Sequence, residues 1–180
     1  MNSINTFQML IEKFRISSNT IENNKLTITN QAFSNEIIFH ELIQRCLLAN
    51  TTFSNMNFEE IDFSGSYILE CNFKNVRFSD VSMLKSEFLY CTFENCIFKY
   101  CNLRRTDFHK TIFKNCLFIE ANLSSTHFNE SEFIETKFEN TDLNYISYTS
   151  IKICNSEECK THEESSDFTK LLEDLNLIIN

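Results

Sequence analysis

The sequence predicts an all-β solenoid, in which short strands climb around one continuous core. Three observations predict it. The first is a hydrophobic period of five: from Leu48, every fifth residue is apolar, through Phe53, Phe58, Phe63 and Ile68 to Tyr148 and Ile153, 22 positions without a break. With 42% hydrophobic residues in the chain, chance produces such a run on the order of once in a hundred million. The second is that 14 of the 19 Phe fall in this frame. The third is a second uncharged row two residues earlier, from Cys46, Thr51 and Met56 to Ile146 and Ile151. Period five fits neither the helical 3.6 nor the simple strand's 2.0, yet residues two apart on an extended segment share a face. Each unit is therefore a short strand followed by a corner.

The composition excludes several alternatives. The 180 residues suffice for one domain with a sizeable core. One Gly and no Pro stand beside 22 Asn, so ordinary Gly and Pro turn chemistry is nearly absent. Rossmann and P-loop phosphate sites need several glycines, and Gly65 alone cannot supply them. A net charge of -9 disfavours direct binding to nucleic acid or to anionic membrane. No apolar run is long enough to span a bilayer, and Met1 to Phe14 lacks the basic start and apolar run of a secretory signal, so the expectation is a cytoplasmic protein. In that setting the eight Cys read as free buried thiols.

The units Cys101-Asn102-Leu103, Thr106-Asp107-Phe108, Ala121-Asn122-Leu123 and Thr141-Asp142-Leu143 carry a small residue, Asn or Asp, then Leu or Phe. In this the sequence resembles the pentapeptide repeat family. Units such as Cys96-Ile97-Phe98 and Thr126-His127-Phe128 depart at the second position, which makes the walls individual. The resemblance implies a right-handed quadrilateral β-helix with four units per coil, giving about five and a half coils over residues 46–155. Such a coil stacks Phe53, Phe73, Phe93, Phe113 and Phe133 on a first wall, and Phe58, Phe78, Phe98, Phe118 and Phe138 on a second. Phe63, Met83, Leu103, Leu123 and Leu143 fall on a third, with Ile68, Phe88, Phe108, Phe128 and Tyr148 on a fourth. Asn55, Asn75, Asn95 and Asn115 then recur at one corner, in place of the missing glycines.

Residues 1–45 are expected to cap the N-terminal end. Phe7, Leu10, Ile11 and Phe14 have helical spacing, Asn23-Asn24 suggests a turn, and Lys25 to Thr29 alternates like an edge strand. Extending the frame through Ile38 and Ile43 would put Glu36 and Glu41 on the inward row, a costly burial, so the regular rod is expected to start near Cys46. In residues 156–180 a polar, acidic link precedes Phe168, Leu171, Leu172, Leu175, Ile178 and Ile179 at helical spacing, with Ser165, Ser166 and Asp167 as candidate N-caps. This C-terminal helix either covers the last coil or forms a homodimer, as some members of the family do.

No catalytic constellation emerges. His40, His109, His127 and His162 are isolated, and Cys154, Cys159 and His162 form C-x4-C-x2-H, which lacks a fourth ligand and a tight knuckle for zinc. No enzyme activity, metal or cofactor is expected. The surface holds the more informative signals. Outward apolar positions include Ile97, Leu117 and Ile119, while Lys99, Arg104, Arg105, Lys110 and Lys114 make a basic belt around the middle, with acidic residues on both sides. These residues are the candidate partner-binding surface. The expected function is a non-catalytic protein-binding rod, of the immunity type that neutralises a toxin or other protein. The alternatives that the resemblance supplies are a DNA mimic that binds and protects DNA gyrase or a related topoisomerase, and a structural scaffold.

Overall fold

The computed structural model describes residues 21–22, 25–39, 43–164 and 167–179. From Lys25 to Cys154 the chain winds as a right-handed, four-sided parallel β-helix of about six turns. Neighbouring coils pair with a uniform 20-residue offset, as in Phe53↔Phe73, Phe73↔Phe93, Phe93↔Phe113 and Phe113↔Phe133 on the first wall. The second wall pairs Phe58 through Phe138 in the same way, and the fourth runs from Leu48 through Ile68, Phe88, Phe108 and Phe128 to Tyr148. On the third wall the coils touch only through single bridges, Asp62↔Ser82, Ser82↔Asn102, Asn102↔Asn122 and Asn122↔Asp142. The first, second and fourth walls are sheets, and the third is a stack of turns.

The core consists of the predicted columns. On the first and second walls, successive Phe rings from Phe53 to Phe133 and Phe58 to Phe138 lie 4.6 to 5.4 Å apart and within 10° of parallel. That distance is the inter-strand spacing itself, so the backbone ladder holds the rings at a favourable stacking separation. Between walls the rings meet edge to face, as in Phe93 with Phe98 at 5.3 Å. Most Ser, Thr and Cys side chains of the second inward row bond backward to the preceding coil, which favours compact donors there. The hydroxyls of Thr106, Thr126 and Thr136 donate to the carbonyls of Met83, Leu103 and Phe113 at 2.8, 2.7 and 3.0 Å. The thiols of Cys96, Cys101 and Cys116 point at the equivalent carbonyls of Phe73, Phe78 and Phe93 at 3.4 Å. Thr, Ser and Cys interchange here because each is compact and brings its own donor.

Every corner but the one at Gly65 is made without glycine. Every fifth residue from Arg45 to Ser150 has φ between 46° and 66°, with Lys85, Tyr100 and Glu120 adopting the left-handed conformation as well as the Asn residues. The conformation costs a non-Gly residue roughly 1–2 kcal/mol. It is offset by bonds between coils at the corners, such as Asn55 N–H to Lys74 O and Asn75 N–H to Glu94 O, both 2.9 Å.

The rod starts earlier than Cys46. Ile28 pairs with Leu48, Phe33 with Phe53 and Ile38 with Phe58, which adds a full coil from Lys25, while Ile21–Glu22 folds back antiparallel on its first residues. The argument from buried carboxylates fails because this coil is the first among the described residues, with Gln31 exposed and Glu36 only half-buried on the inward row. The helical spacing of Phe7 to Phe14, the Asn23-Asn24 turn, His40 and Glu41 lie outside the described residues.

At the other end, Ser147–Cys154 crosses a corner to pair with both His127–Asn129 and Glu132–Ile134, and Cys159–Glu164 returns antiparallel beside it. Cys154 and Cys159 face each other across this hairpin and form a disulfide, so the reading of all eight cysteines as free thiols is corrected for these two. The other six are free and buried. A helix at Phe168–Asp174 is capped by Asp167, whose carboxylate accepts from the Thr169 and Lys170 amides. It is shorter than the apolar spacing implied: Asn176 takes φ 54°, and Ile178–Ile179 adds a strand to the second wall beside Phe138–Glu139. Phe168, Leu171, Leu172 and Leu175 are buried, and the Phe168 ring stacks on Phe128 at 5.7 Å and meets Phe133 edge-on at 5.6 Å. The stripe therefore covers the last coil of its own rod and is not available as a dimer face. No helix among the described residues is long and apolar enough to cross a membrane.

Candidate functional site

The structure divides the predicted binding surface among the walls. Lys99 lies on the second wall, Arg104 and Arg105 on the third, Lys110 at the corner between the fourth and first, and Lys114 on the first. The five cations therefore ring one coil, and no flat partner can meet them all. Their local partners differ as well. Lys110 pairs with Glu130 at 3.3 Å and Lys114 with Glu94 at 3.6 Å, while Glu94 also holds Lys74 at 3.4 Å. The Lys99 ammonium sits over the Tyr100 ring at 4.9 Å from its centroid. Arg104 and Arg105 are exposed and make no ion pair among the described residues.

Four of the predicted residues do come together. On the second wall Ile97 pairs with Leu117 and Lys99 with Ile119, so three apolar side chains and one cation form a square on two adjacent coils. Strand alternation turns all four outward, and each apolar member is half-buried against its neighbours. Glu59, Glu120 and Glu139 lie around this square on the same wall or its corner with the third. Exposed Tyr100 continues the apolar surface to that corner. This patch is the best candidate interface.

The third wall has its own chemistry. The side chains of Asp62, Asn102, Asn122 and Asp142 accept the backbone N–H of the residue two further on, at 2.9, 3.2, 2.9 and 3.1 Å. The next residues close tight turns, with Ser66, Ser86, Thr106 and Thr126 N–H donating to Phe63, Met83, Leu103 and Leu123 O. Partial burial raises the Asp62 carboxyl, but the Ser64 side chain, the Gln44 amide and the Ser64 N–H outweigh it and hold the group below its ordinary value of 3.8. In the core, burial pushes Cys46, Cys91 and Cys101 up to about 12 and Cys71 to about 11, with Cys116 also raised by burial and by the Cys96 sulfur beside it. These thiols are packing groups rather than nucleophiles.

The histidines stay apart. His109 meets Tyr90 edge to face at 5.6 Å, His127 Nδ1 lies 2.7 Å from Ser147 Oγ, and His162 sits opposite Ile151 in the terminal hairpin. The disulfide removes two of the residues in C-x4-C-x2-H, and no group of three His, Cys, Asp or Glu among the described residues could hold a metal ion. A cleft of about 280 Å³ lies between the C-terminal helix and the last turn of the third wall, lined by Leu143, Thr169 and Glu173 among others.

Comparison with known proteins matches residues 44–83 to pentapeptide repeats and residues 91–168 to a pentapeptide repeat region. No curated protein matches the sequence. Among solved structures, a trypsin-treated variant of QnrB1, a plasmid-mediated fluoroquinolone resistance protein, superimposes with a TM-score of 0.51 at 15% identity, over 69% of this chain and 71% of that one. Rfr23, a pentapeptide repeat protein from the cyanobacterium Cyanothece 51142, is 13% identical over 82% of this chain and 95% of its own, with a TM-score of 0.29. HetL, a pentapeptide repeat protein of Nostoc involved in heterocyst differentiation regulation, is 10% identical over 81% and 92%, with a TM-score of 0.20. At these identities the likeness speaks to the fold.

Proposed function

Because this chain belongs to the pentapeptide repeat family, we propose that it is a non-catalytic protein-binding rod, of the immunity type that neutralises a toxin or other protein. The observation that carries the reading is the square of Ile97, Leu117, Ile119 and Lys99 on the second wall. The rod's core is filled by its own columns, so outward apolar side chains on a sheet wall have no folding role that demands them. Grouped on two coils beside Tyr100, they offer an apolar centre that a partner can desolvate, and the surrounding carboxylates favour a partner with a basic rim. A partner of this kind associates quickly at low salt and dissociates slowly once the centre is buried.

Pull-down from the native host with the wild-type chain and with Leu117→Lys, followed by titration of each recovered protein, tests the reading. Loss of at least tenfold in affinity for one recovered protein, with unfolding unchanged, supports it. Equal binding of every recovered protein by both chains sinks it. A toxin encoded immediately upstream would identify the partner class.

The acidic residues at the corner of the second and third walls, Asp80 and Glu120 with Glu59 and Glu139 beside them, favour a second reading. In it the rod mimics DNA toward DNA gyrase or another type II topoisomerase. The exposed Lys99 in the middle of that strip weakens the mimicry. Titration with a purified type II topoisomerase separates the readings, since only a mimic competes with duplex DNA for it.

A further inference from the structure

The third wall separates its charges across its width. Its corner with the second wall carries Asp80, Tyr100 and Glu120, and its corner with the fourth carries Lys85, Arg105 and Ser125, all exposed and each one coil above the last. Between these columns Ser82, Leu84, Asn102, Asn122 and Ser124 are half-buried, and Arg104 stands exposed. Among the described residues, the rod's ion pairs lie on the first wall and its corner, so neither column is neutralised by the other.

We propose that the third wall binds a second copy of this chain, face to face, with the two rods parallel. The argument is one of symmetry. A two-fold axis along the rod exchanges the left and right edges of the wall at constant height. Asp80 then meets Lys85 of the second copy, and the reciprocal contact repeats it. On the next coil Tyr100 meets Arg105, a ring under a guanidinium, and Asn102 meets Arg104. The remaining opposed pairs from 60 to 145 are Glu60 with Gly65, Asp62 with Ser64, Ser82 with Leu84, Glu120 with Ser125, Asn122 with Ser124, Asn140 with Tyr145, and Asp142 with Asn144. None brings like charges together.

The antiparallel alternative loses the Asp80 to Lys85 contact in every register, and in some registers it sets like charges together. A two-fold axis across the rod lays each column on itself in reverse. Centred on the coil of Arg105, it sets Arg105 against Arg105 and Asp80 against Glu120. The parallel axis also fixes the register, because a two-fold operation permits no sliding along the rods. The wall is roughly 10 Å wide, and about six coils at ~4.8 Å give a footprint of a few hundred Å² per copy. That area belongs to weak, salt-sensitive association rather than to an obligate dimer.

This inference does not rest on the partner proposed for the second wall, although Tyr100 and Glu120 border both surfaces, and its test uses the full chain alone. Sedimentation equilibrium across a wide concentration range at low salt should give a mass rising toward twice that of the chain, and about 1 M salt, where the Debye length is ~3 Å, should return it to the monomer. Asp80→Lys and Lys85→Asp should each weaken self-association at least tenfold while leaving thermal unfolding unchanged. An equimolar mixture of the two should restore it, because one rod then carries two positive and the other two negative positions on that coil. Leu117→Lys should have no effect here, whatever it does to a host protein. A monomer at every concentration, self-association that neither reversal weakens, or a mixture that fails to associate would overturn the proposal.

Discussion

The side-chain amide of Asn75 donates to the side-chain oxygen of Asn55, one coil away, at 2.9 Å. The same bond joins Asn95 to Asn75 at 3.1 Å, Asn115 to Asn95 at 3.3 Å and Asn55 to Asn35 at 3.4 Å. All five residues have positive φ, so one residue type answers two demands: it tolerates the left-handed corner and supplies both donor and acceptor to a ladder along the rod. Asn75→Ala loses both, and should cost about 1–3 kcal/mol. Asn75→Gly keeps the corner conformation and should cost less. Urea midpoints at unchanged slope measure the difference; equal losses would mean that tolerance of the left-handed corner contributes nothing, and no loss in Asn75→Gly would mean that the ladder contributes nothing.

Phe98 lies at the middle of the second-wall column, fully buried and stacked on Phe78 at 4.9 Å and Phe118 at 4.6 Å. Phe98→Ala should cost about 3–5 kcal/mol through lost burial and a cavity that coils locked by backbone bonds cannot close. Phe98→Asp adds an unpaired buried charge and should abolish cooperative unfolding by circular dichroism. A Phe98→Asp chain with a normal transition would contradict the packing scheme.

Asn122 holds its turn through Ser124, accepting from the amide at 2.9 Å and from the hydroxyl at 2.6 Å. Asn122→Ala should therefore cost about 1–2 kcal/mol. Asn122→Asp keeps the accepting oxygen, as Asp62 and Asp142 do at equivalent places, and should stay within about 0.5 kcal/mol of the wild type. Differential scanning calorimetry of the two variants checks the order; if Asp is as damaging as Ala, the turn bond is not the stabilising element.

The buried thiols make stability depend on alkaline pH. Cys46, Cys91 and Cys101 stand at about 12 and Cys71 at about 11, against an ordinary value of 9.0. Below pH ~9 both folded and unfolded chains hold these protons, and the fold is unaffected. Between about pH 9 and pH 12 the unfolded chain releases protons that the folded chain retains, so stability falls as pH rises, by up to ~1.4 kcal/mol per pH unit for each titrating thiol. Urea titrations near pH 8 and pH 10 should show the fall, and Cys101→Ala should lessen it. Native protein should leave all six free thiols unreactive to a disulfide reagent until it unfolds.

The five-residue period was enough to place the columns from Phe53 to Tyr148, because each unit repeats the same local geometry and an inward position must be apolar or small wherever it recurs. The Asn corner was legible for the same reason. Three of the units that carry the family resemblance, Asn102-Leu103, Asn122-Leu123 and Asp142-Leu143, fall with Asp62-Phe63 on the third wall. Asn or Asp before the inward residue bonds its own turn there, and where Asn102 and Asn122 have Ile97 and Leu117 as second-wall counterparts, strands form instead.

Only the tertiary structure decided the rest. Gln31 and Glu36 can occupy inward positions because they stay exposed or half-buried in the first described coil, and the short helix and final strand follow from the need to cover Phe128, Phe133 and Phe138 at the other end. Cys154 found Cys159 through hairpin register rather than through spacing. Lys99, Arg105 and Lys114 are near in sequence yet face three directions, whereas Ile97 and Leu117, or Asp80 and Glu120, share a side. In a solenoid, local sequence determines what points inward. Burial at the ends, and the company an outward side chain keeps, depend on residues twenty positions away that only folding brings alongside.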